Sequence, residues 1–438
     1  MLNLKQVSFW KRELTQSKLA RNTLSLMVGG GIRLFLQAGY FILIARSLGA
    51  AQYGAFVGAV ALIAVLAPFS TLGAGNILIK DVARDKETFQ ESWGNALWVT
   101  ALSGSVLMIV VLLFSRVILS DKAPITLVLL VGLSDLLLAR VADLAGQAFQ
   151  AFEMLSKTAR IAIVLAAARA GAALLLAVTV RHPDATSWAL LYCLSSALAG
   201  AYATASACHR LGYPKLAGRR VKPEFLEGFY FSVSLSSQTI YNNIDKTMLV
   251  RLATLPAAGI YATAYRLIDL AFQPISSLLY SAYARFFQHG TAGIAGSTRF
   301  AKRLLPFAVG YGVLTAAFLL LTAPLLPFVL GKDFAPSVEA LRWLSPIVLL
   351  RAIHYFLADS LTGAGFQGLR SGVQALIAGL NVGLNLWLIP TYSWRGAAWA
   401  SLASDGLLLV GLWLVVATLI KRARSSEIAH VIHPETTT

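Results

Sequence analysis

"TIYNNIDKTMLV", residues 239–250, lies inside a long apolar region, yet it gathers Asn242, Asn243, Asp245 and Lys246 within five residues. A charge facing lipid at bilayer depth costs about 3 kcal/mol or more. Such a run therefore belongs to a soluble domain, or to a membrane helix whose polar side faces a wet interior. The rest of the chain decides between them. Of 438 residues, 57% are hydrophobic and only 13% charged, and the mean hydropathy is +0.69. Soluble domains carry about 25% charged residues. The chain reads as a membrane protein.

Apolar runs of about 20 residues, the length that crosses a bilayer as a helix, predict twelve spans: 22–46, 53–73, 93–117, 124–149, 157–180, 187–208, 226–251, 257–284, 304–330, 337–362, 370–390 and 396–420. The fold class is an all-α polytopic membrane protein with about twelve transmembrane helices in two six-helix bundles. The spans within 226–284 are the least apolar.

The net charge of +17 invites a nucleic-acid reading until the charges are placed. With the spans set this way, 23 of the Lys and Arg residues fall on one side, among them Lys11, Arg12, Arg219, Arg220, Lys302 and Arg303. The opposite loops hold seven, including Arg46, Arg116 and Arg181. Basic loops stay cytoplasmic, so both termini are expected in the cytoplasm. The basic excess reports topology, and no nucleic-acid partner is expected. Residues 1–21 lack the pattern of a cleavable signal peptide. Their mixture of Leu4, Phe9, Trp10 and Leu14 with lysines suits an interfacial amphipathic segment, or simply a basic flank. Cys193 and Cys208 sit on one predicted helix, about 22 Å apart at 1.5 Å per residue, too far to pair within the chain.

The chain carries an internal repeat. A shift of 205 residues aligns "RSLGAAQYGAF" (46–56) with "RLATLPAAGIY" (251–261), setting Arg46 on Arg251, Gly54 on Gly259 and Phe56 on Tyr261. "AFQAF" (148–152) resembles "GFQGL" (365–369) at a shift of 217. Two copies of a six-helix unit explain both, and repeats of this kind mark transporters whose substrate site lies near the midplane. The expected organisation is an amphipathic segment at 1–21, a bundle at 22–209, a basic linker at 210–224, a second bundle at 225–420 and a cytoplasmic tail at 421–438.

Ionisable residues within spans are functional candidates by default. Span 1 has Arg33 and Gln37. Span 4 has Asp135, Arg140, Asp143 and Gln147, the last three spaced i, i+3 and i+7 on one face. Span 5 has Arg169. Span 7 has Gln238, Asn242, Asp245 and Lys246, and span 8 has Tyr265, Arg266, Asp269 and Gln273. Span 10 has Arg342, Arg351, His354 and Asp359, and spans 11 and 12 add Asn381, Asn385 and Asp405. One polar stripe per helix implies a shared polar interior. Basic groups outnumber acids there, so the interior suits an anion, and guanidinium forks match phosphate oxygens. The candidate substrate-binding residues are Arg33, Arg140, Arg169, Lys246, Arg266, Arg351, Asn242 and Gln273. Two pairs have a purely structural alternative, because Arg140 with Asp143 and Arg266 with Asp269 lie three apart and can neutralise each other. Arg33, Arg169 and Arg351 have no acid nearby in sequence. Asp143, Asp245, Asp269, His354 and Asp359 are candidates for coupling to an ion. His354 is a candidate because an imidazole can carry a proton, although a lone membrane histidine more often has a hydrogen-bonded structural role.

Enzyme motifs fail their context. "GAGFQG" (363–368) fits the dinucleotide pattern but follows no strand. No phosphate-binding G-x-x-x-x-G-K-[ST] loop, zinc H-E-x-x-H or paired C-x-x-C occurs. No catalytic residue, metal or cofactor is expected. Gly54 and Gly58 offer a close helix-packing face.

"FILIARSLGAAQYGAF" and "YNNIDKTMLVRLATLPAAGIYATAYRLIDLAFQPISSLLYSAYARFF" resemble bacterial polysaccharide (O-antigen, Wzx-type) flippases. These belong to the MOP exporter superfamily, with the lipid II flippases and the multidrug and toxin extrusion (MATE) exporters. The resemblance spans the chain in its twelve spans, six-plus-six arrangement and cytoplasmic ends. It implies translocation of a polyprenyl-diphosphate-linked oligosaccharide from the cytoplasmic to the periplasmic leaflet of the bacterial inner membrane. It also implies alternating access driven by a H+ or Na+ gradient. The partners implied are that lipid-linked substrate, membrane lipid, a polysaccharide polymerase and a chain-length regulator. Three other readings stand beside it: a multidrug or cation antiporter of the same superfamily, a membrane glycosyltransferase or polymerase, and a non-transporting membrane scaffold. The first calls for an acid-dominated cavity and the second for a large periplasmic loop.

Overall fold

A computed structural model describes residues 18–119, 122–215, 232, 236, 239 and 242–432. Residues 1–17 of the amphipathic segment, 216–224 of the basic linker, most of the seventh span before 242 (Gln238 included) and the tail at 433–438 lie outside the described residues. Every element is helical and no strand occurs among the described residues.

The chain divides into two compact units, Met1–Arg251 and Leu252–Thr438. In unit 1, α1 (Lys18–Thr71) runs 54 residues but is broken at Gly49, whose φ of 67° and ψ of 174° are open only to glycine. The two arms are the first two expected spans, so the "RSLG" turn is a backbone requirement. A tight turn at Leu72 and Gly73, both with positive φ, leads to α2 (Ala74–Arg84). Then come α3 (Phe89–Leu119), α4 (Ile125–Gly132), a π-helical turn at Leu133–Leu138 and α5 (Ala139–Ala151). α6 (Leu155–Thr179) and α7 (Ala185–Leu211) follow, then helical residues 242–252, here α8. Asp184 caps α7, accepting from the Ser187 amide at 2.8 Å while the Ser187 hydroxyl accepts from the Asp184 amide. α8 lies against α1 at Gly58, where a Cβ would stand 2.3 Å from Val250 Cγ2.

Unit 2 holds α9 (Leu255–Gly290), α10 (Gly293–Thr322), a short α11 (Leu326–Leu330), α12 (Ser337–Leu344), α13 (Ile347–Gly363), α14 (Gln367–Tyr392) and α15 (Trp394–Ile432). The expected single span 337–362 is two helices, because Pro346 cannot donate to the ladder; the path bends by 41° there. α15 continues to Ile432, well past the expected end at 420.

Eight helices among the described residues are long and apolar enough to cross a membrane, or nine if the bent pair is one span. One of the eight, Gly29–Val82, contains both arms of α1. Their exposed faces are apolar stripes. On α3, Trp98, Leu102, Val106, Ile109, Leu113 and Val117 recur at helical spacing and are all exposed. In water this would be a liability, and in lipid it is the solvated surface. Many polar side chains within the helices are buried, and with the polar lining of a cavity in unit 1 they build the sites below.

Candidate functional site

Unit 1 contains a cavity of about 610 Å³, within the range of ligand-sized clefts. Its wall is the polar stripe of the fourth span: Asp135, Arg140, Asp143 and Gln147, faced by Arg33 of α1 and Asn76 of α2. The π-turn places the first of these. In it the Ala139 amide bonds the Ser134 carbonyl five residues back, which widens the helix, and the Asp135 carbonyl accepts from Arg140 Nε at 3.2 Å. π-turns often mark functional positions.

Behind the cavity wall Asp135 is held from three sides. Tyr192 of α7 donates its phenol at 3.0 Å, Arg169 of α6 donates from Nη2 at 3.3 Å, and Ser134 donates at 3.1 Å. Arg169 also lies over the Tyr192 ring, 4.1 Å from its centroid, and reaches Ser196 at 3.4 Å. Arg140 pairs with Asp143 at 3.1 Å. The charged groups of the lining therefore balance: Arg33 and Arg140 against Asp135 and Asp143. Arg33 is exposed and has no hydrogen-bond or ion-pair partner among the described residues.

Unit 2 carries a buried polar cluster. Arg351 of α13 donates to Asp269 of α9 at 3.2 Å and to the Tyr265 hydroxyl, and stands 3.8 Å from Asp405 of α15. Asp405 also meets His354 Nε2 at 3.0 Å. Among the described residues, one guanidinium thus faces two carboxylates, Asp405 buried and Asp269 partly exposed. Next to it Asn381 donates to Ser404 at 2.9 Å, Asn385 donates to Asn381 at 3.0 Å, and Tyr261 and Ser401 share a hydrogen bond of 2.8 Å.

The structure thus sorts the sequence candidates. Arg140, Arg169, Lys246 and Arg351 each have an acid within 4 Å. Arg33 and Arg266 have none among the described residues. The expected cation excess is corrected accordingly: Arg169 and Arg351 have no acid nearby in sequence, but the fold supplies Asp135, Asp269 and Asp405 from other helices. Lys246 and Asp245 are buried within α8, where Lys246 Nζ donates to the Asn242 carbonyl at 2.7 Å and to Asn243 at 3.3 Å. They and Asn242 are not among the residues lining the unit 1 cavity. Asp359 bonds Arg370 at 3.1 Å, and Arg370 bonds Thr362 at 2.7 Å, which ties α13 to α14. Gln273 is exposed on α9, one residue before Pro274. Sequence reading passed over Tyr192, Ser196 and Asn76. A phenol or hydroxyl in an apolar run gives no signal, and Asn76 fell outside the predicted spans.

The all-α fold is similar to that of solved membrane transporters at low sequence identity. An inward-facing MATE-family multidrug resistance transporter superposes with a TM-score of 0.72 at 14% identity, over 90% of this chain and 99% of that one. The lipid II flippase MurJ, in an inward-closed conformation, gives 0.66 at 14% identity, over 95% and 93%. A MOP-superfamily transporter from Pyrococcus furiosus gives 0.61 at 15% identity, over 93% and 98%. The chain belongs to the polysaccharide biosynthesis protein family, whose model matches residues 19–289. No curated protein sequence matches it.

Proposed function

We propose that this protein is a flippase. It carries a polyprenyl-diphosphate-linked oligosaccharide from the cytoplasmic to the periplasmic leaflet of the bacterial inner membrane, with both of its ends cytoplasmic and no bond made or broken. The reading rests on one observation: in a chain of a polysaccharide biosynthesis family, the Arg33 guanidinium lines a ligand-sized cavity and has no acid within ion-pair distance among the described residues. A guanidinium in that state offers five N–H donors in a planar fork, which suits a diphosphate. Arg140, already paired, adds a second guanidinium whose partner Asp143 can exchange it with the incoming anion. The prenyl chain stays in lipid while alternating access re-exposes the head group.

Coupling fits the unit 2 cluster. Its two carboxylates, Asp405 buried beside His354 and Asp269 partly exposed, offer oxygens to one cation, either H+ or Na+. Of the acids that are candidates for coupling, Asp269, paired with Arg351, belongs to this cluster, whereas Asp143, Asp245 and Asp359 pair with Arg140, Lys246 and Arg370 outside it.

A second reading has a specific observation in its favour. Asp135 and Asp143 in the lining suit an organic cation, as in a multidrug antiporter. Reconstitution into liposomes decides between them. A fluorescent polyprenyl-diphosphate sugar should change leaflets in proteoliposomes and not in protein-free vesicles. Ethidium accumulation with no lipid transfer would replace the flippase reading with the antiporter one.

A further inference from the structure

The polar lining of the unit 1 cavity is of two kinds, charged groups and amides. Arg140, Asp143 and Gln147 share one face of α5, and at about 1.5 Å rise per residue Gln147 stands about 10 Å along the axis from Arg140. Gln147 meets the start of α2, because a Cβ on Gly75 would fall 1.5 Å from Gln147 Oε1 and 2.4 Å from its Cδ. The next residue is Asn76, exposed in the same lining. Neither the Asn76 nor the Gln147 side chain has a hydrogen-bond partner among the described residues. The cavity therefore has a charged section and, one helical stripe further on, a section of two unengaged amides.

The backing of that second section is rigid. Ala74, Leu78 and Val82 of α2 pack into the same buried cluster as Ala145, Ala148 and Phe149 of α5. Phe89 and Trp93 stack within the same cluster, at 6.2 Å between ring centroids. The Gln147 amide sits in a notch that only glycine at position 75 leaves open.

We infer that Asn76 and Gln147 form a carbohydrate-binding subsite, which reads the sugar attached to the diphosphate while the arginines hold the diphosphate itself. The inference rests on the flippase reading. Chemistry selects a sugar over a second phosphate. Two amides present four N–H donors and two carbonyl acceptors. A phosphate only accepts, so it would leave both amide oxygens unmatched and desolvated, an unfavourable outcome. Neighbouring sugar hydroxyls, or a hydroxyl beside an acetamido group, both donate and accept and satisfy each amide fully. An uncharged sugar also needs no counter-charge from the two amides.

The test uses the full chain in lipid nanodiscs. The probes are geranyl diphosphate and geranyl diphosphate bearing glucose, galactose or N-acetylglucosamine, with affinity read by calorimetry. For the best sugar-bearing probe, Asn76→Ala and Gln147→Ala should each weaken binding about five- to tenfold, the loss of one or two hydrogen bonds. Both variants should leave geranyl diphosphate within about twofold of wild type. Gly75→Ala keeps both amides but pushes the Gln147 side chain out of its notch, and should reproduce Gln147→Ala. Arg33→Ala should weaken every probe. The subsite is refuted if the amide variants change nothing, or if they weaken the bare diphosphate as much as the sugar-bearing probe. If wild type binds none of the probes, the flippase reading fails and the subsite with it. Equal thermal midpoints for the four variants and wild type exclude misfolding.

Discussion

Asp269 stands three residues from Arg266 on α9, yet its carboxylate accepts from Arg351 of α13 at 3.2 Å. The local pairing is forgone for an electrostatic reason. The Arg351 side chain is 6% exposed, and a guanidinium so far from water needs carboxylates to compensate its lost hydration. Arg266 is half-buried and can keep part of its hydration. The buried cation therefore takes the acid, and a second one, Asp405, from α15.

Removing Arg351 would take a guanidinium away from buried Asp405 and from Asp269. Arg351→Ala should destabilise the protein by about 3 kcal/mol, the cost of breaking a buried pair from one side. The thermal midpoint in detergent reports it. Arg351→Ala with Asp405→Asn should recover a good part of the loss; a double variant no more stable than the single one would show that the charge is neutralised in another way.

Arg33 has no acid to satisfy among the described residues, so its removal should cost little stability. Arg33→Ala should lower lipid-linked sugar transfer at least about tenfold, as expected from losing one charge-assisted pair, while the thermal midpoint stays unchanged. Arg33→Lys should restore only part, since an ammonium lacks the fork. Arg140→Ala should show the reverse balance, with a smaller transport defect, because Arg140 already has Asp143. Equal defects in all three would remove Arg33 from its special place.

Asp405 is the test of coupling. Asp405→Asn removes the buried carboxylate of the cluster and should make transport indifferent to an imposed pH or Na+ gradient. Transfer under zero gradient should persist. Flux measured with and without each gradient separates the two ions, and full retention of gradient-driven flux would move coupling elsewhere.

Gly49 tests the fold itself. Its backbone lies where a side chain is strained, so Gly49→Ala should cost about 1 to 3 kcal/mol, read as a lower thermal midpoint. Gly30→Ala makes a useful control, because a Cβ there meets nothing within 4 Å. Its midpoint should stay close to that of wild type.

Several features were legible in the order of the residues. Apolar length announced a polytopic membrane protein, and the break between the first two spans coincides with Gly49. The i, i+3, i+7 spacing correctly put Arg140, Asp143 and Gln147 on one wall. Other features left no trace in sequence. The π-turn at Leu133–Leu138 has no proline or glycine inside it to announce it, and Tyr192 looked like any apolar-run tyrosine until it met Asp135. The bend at Pro346 had a visible cause, but hydropathy counts residues and not hydrogen bonds, so it read as one straight span.

The primary structure by itself determined the solvent. With 57% hydrophobic residues, the helices must bury their backbone polarity internally and turn their apolar faces to lipid, wherever their partners lie. It also determined which side chains carry charge at depth. Only the tertiary structure decided which of those charges cancel, because the acids that neutralise Arg169 and Arg351 come from helices distant in the chain. Coulomb attraction depends on separation in space, which sequence spacing reports only within a single helix.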